Sequence, residues 1–343
     1  MFDFAAFRER RRRDLGPGHA VDALADCLGA LIVQPGDRAA TRIDRLGARL
    51  VGTADQWALA RSLVSEMEDG DFVYATGSDA GLPVAITAVL SRRKIKLAIF
   101  YSAPARLRPR TLTKVAAKLG IDVLPIAGSE DKVAYLRSRG SGRPAVLASE
   151  QTDTSFFHPP EDRSDSATPL ITSCGLEQRD YAALADAIGP LDVHVKICAV
   201  SPNFTSSTVV SMPEQLPENV EMRRFEFDEL RQLYQNAAVT VVPLLANDYS
   251  AGMTTMMEAI ACGSPVIITE NPGLASDFAA RDLVIGVPPG DMEALRMAIE
   301  RVLDDPQAAR SRADRARAHV LEHHSSDRYV ELLCEGLTSF HAS

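Results

Sequence analysis

Short unbroken apolar runs recur along this chain, each followed by a longer amphipathic stretch. Residues 30–33 (Ala-Leu-Ile-Val), 72–75, 96–101, 121–126 and 145–148 form a first set of four to six residues each. Stretches with helical spacing, such as 56–68 and 111–119, lie between them. An apolar run without alternation belongs to a strand covered on both faces, which is the pattern of a parallel sheet wrapped by helices. A polar, proline-bearing stretch follows at 152–168, and the rhythm restarts at 170–173, 193–199, 239–242, 266–269 and 283–285. Helices are expected at 180–188, 227–237 and 291–304. The chain is therefore expected to be an α/β protein of two Rossmann-like domains, 1–160 and 161–325, with a last helix, 326–343, packing back on the first. Ligands of open parallel sheets bind outside the carboxyl ends of the strands, so the expected site is a central cleft faced by both domains.

A length of 343 residues suits two such domains. With 46% apolar and 24% charged residues, disordered, collagen-like and disulfide-scaffold classes are excluded. No uncharged apolar run reaches membrane-helix length, and the opening Met1-Phe2-Asp3-Phe4 lacks a leader's apolar stretch, so a cytoplasmic protein is expected. Cys27, Cys174, Cys198, Cys262 and Cys334 are scattered without metal-ligand or paired spacing; they read as reduced, buried thiols, with no metal site. Charge is uneven. Residues 1–150 carry 23 Lys and Arg against 17 Asp and Glu, and the rest carry 14 against 29. A basic first half suits an anionic partner. Phe2, Phe4 and Phe7 precede or flank the run Arg10 to Arg13, and Arg106, Arg108, Arg110, Lys114 and Lys118 cluster further on, so peripheral contact with an anionic membrane is expected, against the plain alternative of solvated charge. Nucleic acid is not expected, because no recognition motif accompanies the charge.

The richest segment runs from Val241 to Thr269. A buried strand ends in a glycine-bearing loop, a helix begins near Met253, Gly263 stops it, and Pro265 precedes the next strand. The first backbone N–H groups of that helix, at Gly252, Met253, Thr254 and Thr255, lie at the positive end of its dipole and suit a diphosphate. Spacing puts Thr254, Thr255 and Glu258 on one face, opposite Met253, Met256, Met257 and Ile260. A carboxylate there can accept two hydrogen bonds from the vicinal hydroxyls of a ribose; the plain alternative is a solvated glutamate.

The run from Ser250 to Val266 resembles the donor-site signature of retaining GT-B glycosyltransferases of family 4: Glu, seven residues, Glu, then Ala-x-Ala-x-Gly-x-Pro-Val. Glu258, Ala259, Ala261, Gly263, Pro265 and Val266 carry the match. The resemblance implies the GT-B fold and gives Glu258 the ribose of a nucleotide sugar. The first glutamate, which in the family contacts the transferred sugar, is replaced by Ser250, and Asp248 two residues upstream is a candidate substitute. Residues 150–159 resemble the phrase that opens the family's second domain. Residues 173–181 resemble its strand-loop segment with an Arg and a Lys for the donor diphosphate, of which only Arg179 remains; the alternative for Arg179 is an ion pair with Asp180 or Glu177. Residues 225–237, with Glu226, resemble the loop and helix beside the nucleobase.

The implied reaction is metal-independent transfer of a sugar, with retention, from a nucleoside-diphosphate sugar to a hydroxyl acceptor, with no cofactor besides that co-substrate. Arg179, Glu258 and Asp79 are the candidate catalytic residues. Asp79, after the expected strand at 72–75, is a candidate acceptor contact or base, and otherwise a helix cap. Donor-binding candidates are Asp248, Ser250, Gly252, Met253, Thr254, Thr255 and Glu226. The alternative is a non-catalytic nucleotide-sugar-binding protein with an eroded donor site. A dinucleotide-dependent dehydrogenase lacks its Gly-x-Gly-x-x-Gly after a first strand.

Overall fold

In the computed structural model the described residues are 3–36, 38–102, 107–138, 143–162, 168–199, 209–247 and 251–343. Two compact units form, one of Ala20–Ser149 with Tyr329–Ser343, the other of Ala5–His19 with Glu150–Arg328. The chain starts with helix α1 (Phe4–Arg12), which packs within the second unit. There the Phe7 ring meets Phe227 edge-on at 6.0 Å, Arg11 Nη1 lies 2.9 Å from Asp153 Oδ2, and Arg231 pairs with Asp14 at 2.9 Å.

The first unit runs through α2 (Ala20–Leu28), α3 (Arg42–Gly47), α4 (Ala54–Glu66), β1 (Phe72–Ala75), α5 (Ser78–Leu90), β2 (Lys96–Phe100), α6 (Leu107–Lys118), β3 (Asp122–Ala127), α7 (Glu130–Ser138) and β4 (Val146–Leu147). Its sheet is parallel, in the order β1-β2-β3-β4. Alternate residues of each strand serve opposite cores, as the pleat requires. Leu97, Ile99 and Val123 pack with α4 to α7, whereas Ala98, Leu124 and Ile126 pack with Leu24 of α2 and with Leu333, Leu337 and Phe340. Residues 30–33 form no strand, contrary to the reading of their apolarity. Leu31 is 92% exposed and Val33 44%. A strand needs a neighbour to pair with, and composition alone does not provide one.

The cysteines need a correction. Cys27 of α2 is disulfide-bonded to Cys334 of the carboxyl-terminal helix, and only Cys174, Cys198 and Cys262 are free thiols. With the partners 307 positions apart, no sequence spacing announces the pair. Closing so long a loop stabilises the unit by about 2–5 kcal/mol, chiefly by restricting the unfolded chain. Cys27→Ser is therefore expected to lower the denaturation midpoint, and dithiothreitol should do the same to the wild type. Equal urea midpoints with and without reductant would show that apolar packing alone holds the last helix.

In the second unit, β5 (Leu170–Cys174), β6 (Arg179–Asp180), α8 (Tyr181–Ile188), β7 (His194–Cys198), β8 (Val210–Ser211), β9 (Val220–Arg223), α9 (Phe227–Asn236) and β10 (Val239–Val242) come first. They are followed by α10 (Met253–Ala261), β11 (Val266–Thr269), α11 (Leu274–Ala280), β12 (Ile285–Val287), α12 (Met292–Asp304) and α13 (Pro306–His323); α14 (Ser326–Ala342) then returns to the first unit. The main sheet is parallel in the order β12-β11-β10-β5-β7-β9. Counted within the sheet, this is the doubly wound order, with the direction of winding reversing between β5 and β10. β9 escaped the search for apolar runs because Val220-Glu-Met-Arg alternates half-buried and exposed positions at the sheet edge.

Candidate functional site

The reversal of winding leaves room outside the carboxyl ends of β5 and β10, because the chain leaves these two strands toward opposite faces. Both segments singled out in the sequence follow these strands. After β5, Gly175 has a positive φ of 96°, and a Cβ there would lie 2.6 Å from Arg179 Nη2. Glycine thus lets the guanidinium lie against the backbone. Arg179 is itself anchored by a bridge to Leu244, just past β10.

The Arg179 side chain is 4% exposed. Its Nε donates to Cys174 O at 2.8 Å, its Nη1 to Glu177 O at 2.9 Å and its Nη2 to Thr255 Oγ1 at 3.1 Å. Thr255 in turn donates to Cys174 O at 3.3 Å. The ion pair considered for Arg179 does not form: Asp180 caps α8 through Ala183 N at 3.1 Å, and Glu177 presents its carbonyl to the guanidinium. Among the described residues no carboxylate pairs with this cation. Carbonyl and hydroxyl dipoles partly offset its burial, but an opposing charge is what such a group lacks.

That charge would find further donors at the start of α10. Gly252, at the N-cap, is left-handed (φ 78°) and offers no side chain to the first turn. A Cβ at this position would lie 2.7 Å from Val242 Cγ1, so the loop closes against β10 only with glycine. The N–H groups opening a helix have no intrahelical acceptor, and Thr255 brings the guanidinium to the same turn.

Glu258 lies one turn further in. The sequence put Thr254, Thr255 and Glu258 on an outward face, but only Thr254 is exposed; Thr255 is 4% and Glu258 8% exposed, and Met253 is in the core. The reason is that α10 contacts α9, α13, β10 and β11, so neighbours cover it nearly all round. Its polar groups are satisfied inside. Tyr234 of α9, fully buried, donates its hydroxyl to Glu258 Oε2 at 3.2 Å. Burial first, and the neighbouring Cys174 second, push the Glu258 carboxyl well above the ordinary glutamate range, with Tyr234 acting in the opposite sense. The hydrogen bond to Cys198 and burial likewise raise the Cys174 thiol. Sequence reasoning did not single out Tyr234, although Leu230, Leu233 and Tyr234 share the buried face of α9, and a buried tyrosine hydroxyl needs a partner.

The other described candidates make contacts of their own. Glu226 is the exposed N-cap of α9; its N–H donates to Glu229 Oε2 at 2.9 Å and its carboxylate pairs with Arg224 at 3.2 Å. Asp79 is in the first unit, exposed in the first turn of α5, and accepts from Gln56 Nε2 at 2.6 Å. The cap position there is Gly77, so the capping alternative for Asp79 is corrected. Asp248 and Ser250 lie outside the described residues, as do Arg106 and the side chains of Arg108 and Arg110. Among the described residues no group of His, Cys, Asp and Glu is arranged to hold a metal ion, and no helix is long and apolar enough to cross a membrane.

Residues 196–335, less than half of the chain, match the family described as Glycosyl transferase-like. A search among curated protein sequences finds no match. A glycosyltransferase from Rickettsia africae is similar in structure with a TM-score of 0.67 at 15% identity, over 94% of this chain and 88% of that one. Anabaena HepE in complex with UDP-glucose gives 0.64 at 16% identity, over 94% and 90%. Sucrose-phosphate synthase from Thermosynechococcus elongatus gives 0.62 at 19%, over 92% and 84%. With its parallel α/β sheets matching these enzymes across most of its length, the chain has the GT-B fold.

Proposed function

We propose that the protein is a retaining glycosyltransferase, of the family 4 type, that moves a sugar from a nucleoside-diphosphate sugar to a hydroxyl acceptor. The observation that carries this reading is the buried Arg179 guanidinium, without a carboxylate partner among the described residues, held by Thr255 at the opening turn of α10. A diphosphate placed there would receive charge-assisted hydrogen bonds from the guanidinium and from the first-turn N–H groups. Charge builds on the leaving phosphate as the sugar–oxygen bond breaks, so donors fixed beforehand stabilise the transition state more than the ground state. The leaving diphosphate takes up the acceptor proton on the same face of the sugar. Glu258, one turn along α10, accepts the ribose hydroxyls. Arg179 and the helix terminus supply the positive field, so transfer is expected to proceed in the presence of a chelator.

HepE in complex with UDP and with UDP-glucose makes uracil the first base to test. Saturating UDP should raise the thermal midpoint, since a ligand at a hundredfold excess over its Kd adds about 2.7 kcal/mol to folding. No shift with UDP, UDP-glucose or other nucleoside diphosphates would overturn the site. A second reading, a binder without transfer, is favoured by Ser250 standing at the first motif glutamate. Release of nucleotide that depends on an added hydroxyl acceptor distinguishes the enzyme from the binder. Location in the cytoplasm is part of the same proposal, and the Cys27–Cys334 pair reports on it: alkylation of freshly extracted protein should find two thiols there in a reducing compartment and a bond in an oxidising one.

A further inference from the structure

Helix α3 is turned inside out. Its inward positions are a charge and a glycine. Asp44 is 2% exposed and accepts from Thr41 N at 2.8 Å and from Arg61 Nη2 at 3.0 Å. Gly47 lies so close under Trp57 of α4 that a Cβ would fall 2.5 Å from the ring. These two contacts fix the rotation of the helix about its axis and leave its aliphatic residues outside. Ile43 is 75% exposed, Leu46 61%, and Leu50, in the turn that continues the helix through Leu50 N to Gly47 O, is 54%. Spaced three and four apart, they form one stripe. Arg42, Arg45 and Arg49 alternate with them, all exposed, and no acidic group pairs with these arginines among the described residues. The segment's one acid, Asp44, is buried beneath. Every exposed ionisable group from 42 to 50 is therefore cationic.

We propose that α3 and the turn after it are a docking surface for an anionic lipid bilayer. Soluble surfaces carry single exposed aliphatic residues, but a stripe of three flanked by three arginines is the composition of an interfacial segment: aliphatic side chains enter the boundary of the acyl chains while guanidiniums meet lipid phosphates. Size favours a bilayer over a second copy of the chain. Three aliphatic side chains cannot bury the roughly 800 Å² per partner of a stable protein interface, whereas a bilayer accepts a small apolar stripe provided charge assists it. The surface belongs to the first unit and needs no property of the Arg179 site, so the proposal stands independently of the transferase reading.

The test is sedimentation of the full chain with phosphatidylcholine vesicles, pure or doped with phosphatidylglycerol, at physiological salt. Binding to the doped vesicles alone is expected, and raised salt should weaken it. Ile43→Ser with Leu46→Ser and Leu50→Ser, or Arg42→Glu with Arg45→Glu and Arg49→Glu, should each reduce partitioning by at least about tenfold. Thermal midpoints should stay at the wild-type value, since all six side chains point outward. Indifference of the wild type to phosphatidylglycerol overturns the proposal. So does undiminished binding by both triple variants, which would assign the membrane contact to other basic groups, and so does a dimer that the variants dissociate, which would make a second copy the occupant.

Discussion

Arg179→Met should lose nucleoside-diphosphate affinity by about 2–4 kcal/mol, roughly thirtyfold to a thousandfold in Kd, while leaving the free protein folded. The two halves of this expectation have opposite signs for a ligand-binding and a structural arginine. A guanidinium whose bonds among the described residues all go to carbonyl and hydroxyl dipoles carries a buried charge that none of those residues offsets with an opposite one. Replacing it by an apolar chain of similar length removes that desolvation cost and also three hydrogen bonds, two to carbonyls and one to the Thr255 hydroxyl, so the free-state stability should change by only about 1 kcal/mol. The complex, by contrast, loses the cation that faces the phosphates. Arg179→Lys should recover part of the affinity as a point charge, without the planar grip that Cys174, Glu177 and Thr255 orient. Calorimetric titration with UDP, read beside thermal midpoints without ligand, checks both. Unchanged affinity together with a large fall in stability would make Arg179 a strut of the β5–α8 turn.

Nucleotide binding should also release a proton, and Glu258 should be its source. Burial and Cys174 raise the Glu258 carboxyl well above its ordinary value, which favours its protonated form in the free protein. Ribose hydroxyls donating to it would favour the ionised form, as Tyr234 already does at 3.2 Å. Protons should therefore leave as the nucleotide binds, seen as a dependence of binding heat on buffer ionisation enthalpy. Glu258→Gln should abolish that dependence and weaken binding, and Tyr234→Phe should raise the carboxyl further and keep the proton release. The sign for stability is equally definite. An acid whose folded value is raised contributes stability fully present below its unfolded value, 4.5, and lost as pH rises through the folded one. Glu258→Gln should flatten that loss. Binding heats of the wild type that are the same in every buffer would show that the carboxyl keeps its proton when the nucleotide arrives, and the ribose role would fall.

Much of the second unit is legible along the chain. Runs such as Val239 to Val242 and Val266 to Thr269 are apolar at every position, and strands buried on both faces cannot be otherwise. Gly252, Gly263 and Pro265 punctuate α10 by local backbone rules. Where neighbours decide, the chain was silent or misleading. Residues 30–33 have the composition of a strand and no partner to pair with, while Val220-Glu-Met-Arg lacks the composition and pairs with β7 at the edge.

By itself, then, the sequence determined most of the buried strands of the parallel sheets and where α10 begins and ends, because periodicity and backbone punctuation act within a few residues; Arg179 and Glu258 stood out through the resemblance to a family signature. Tertiary structure alone decided that Arg179 meets Thr255 across 76 positions, that Tyr234 reaches Glu258, that Cys27 finds Cys334, and that α3 shows its aliphatic side outward. Each of these depends on the order of strands in a sheet or on which helix covers another. Burial and electrostatic environment arise from all the neighbours at once, and no local pattern in the chain encodes them.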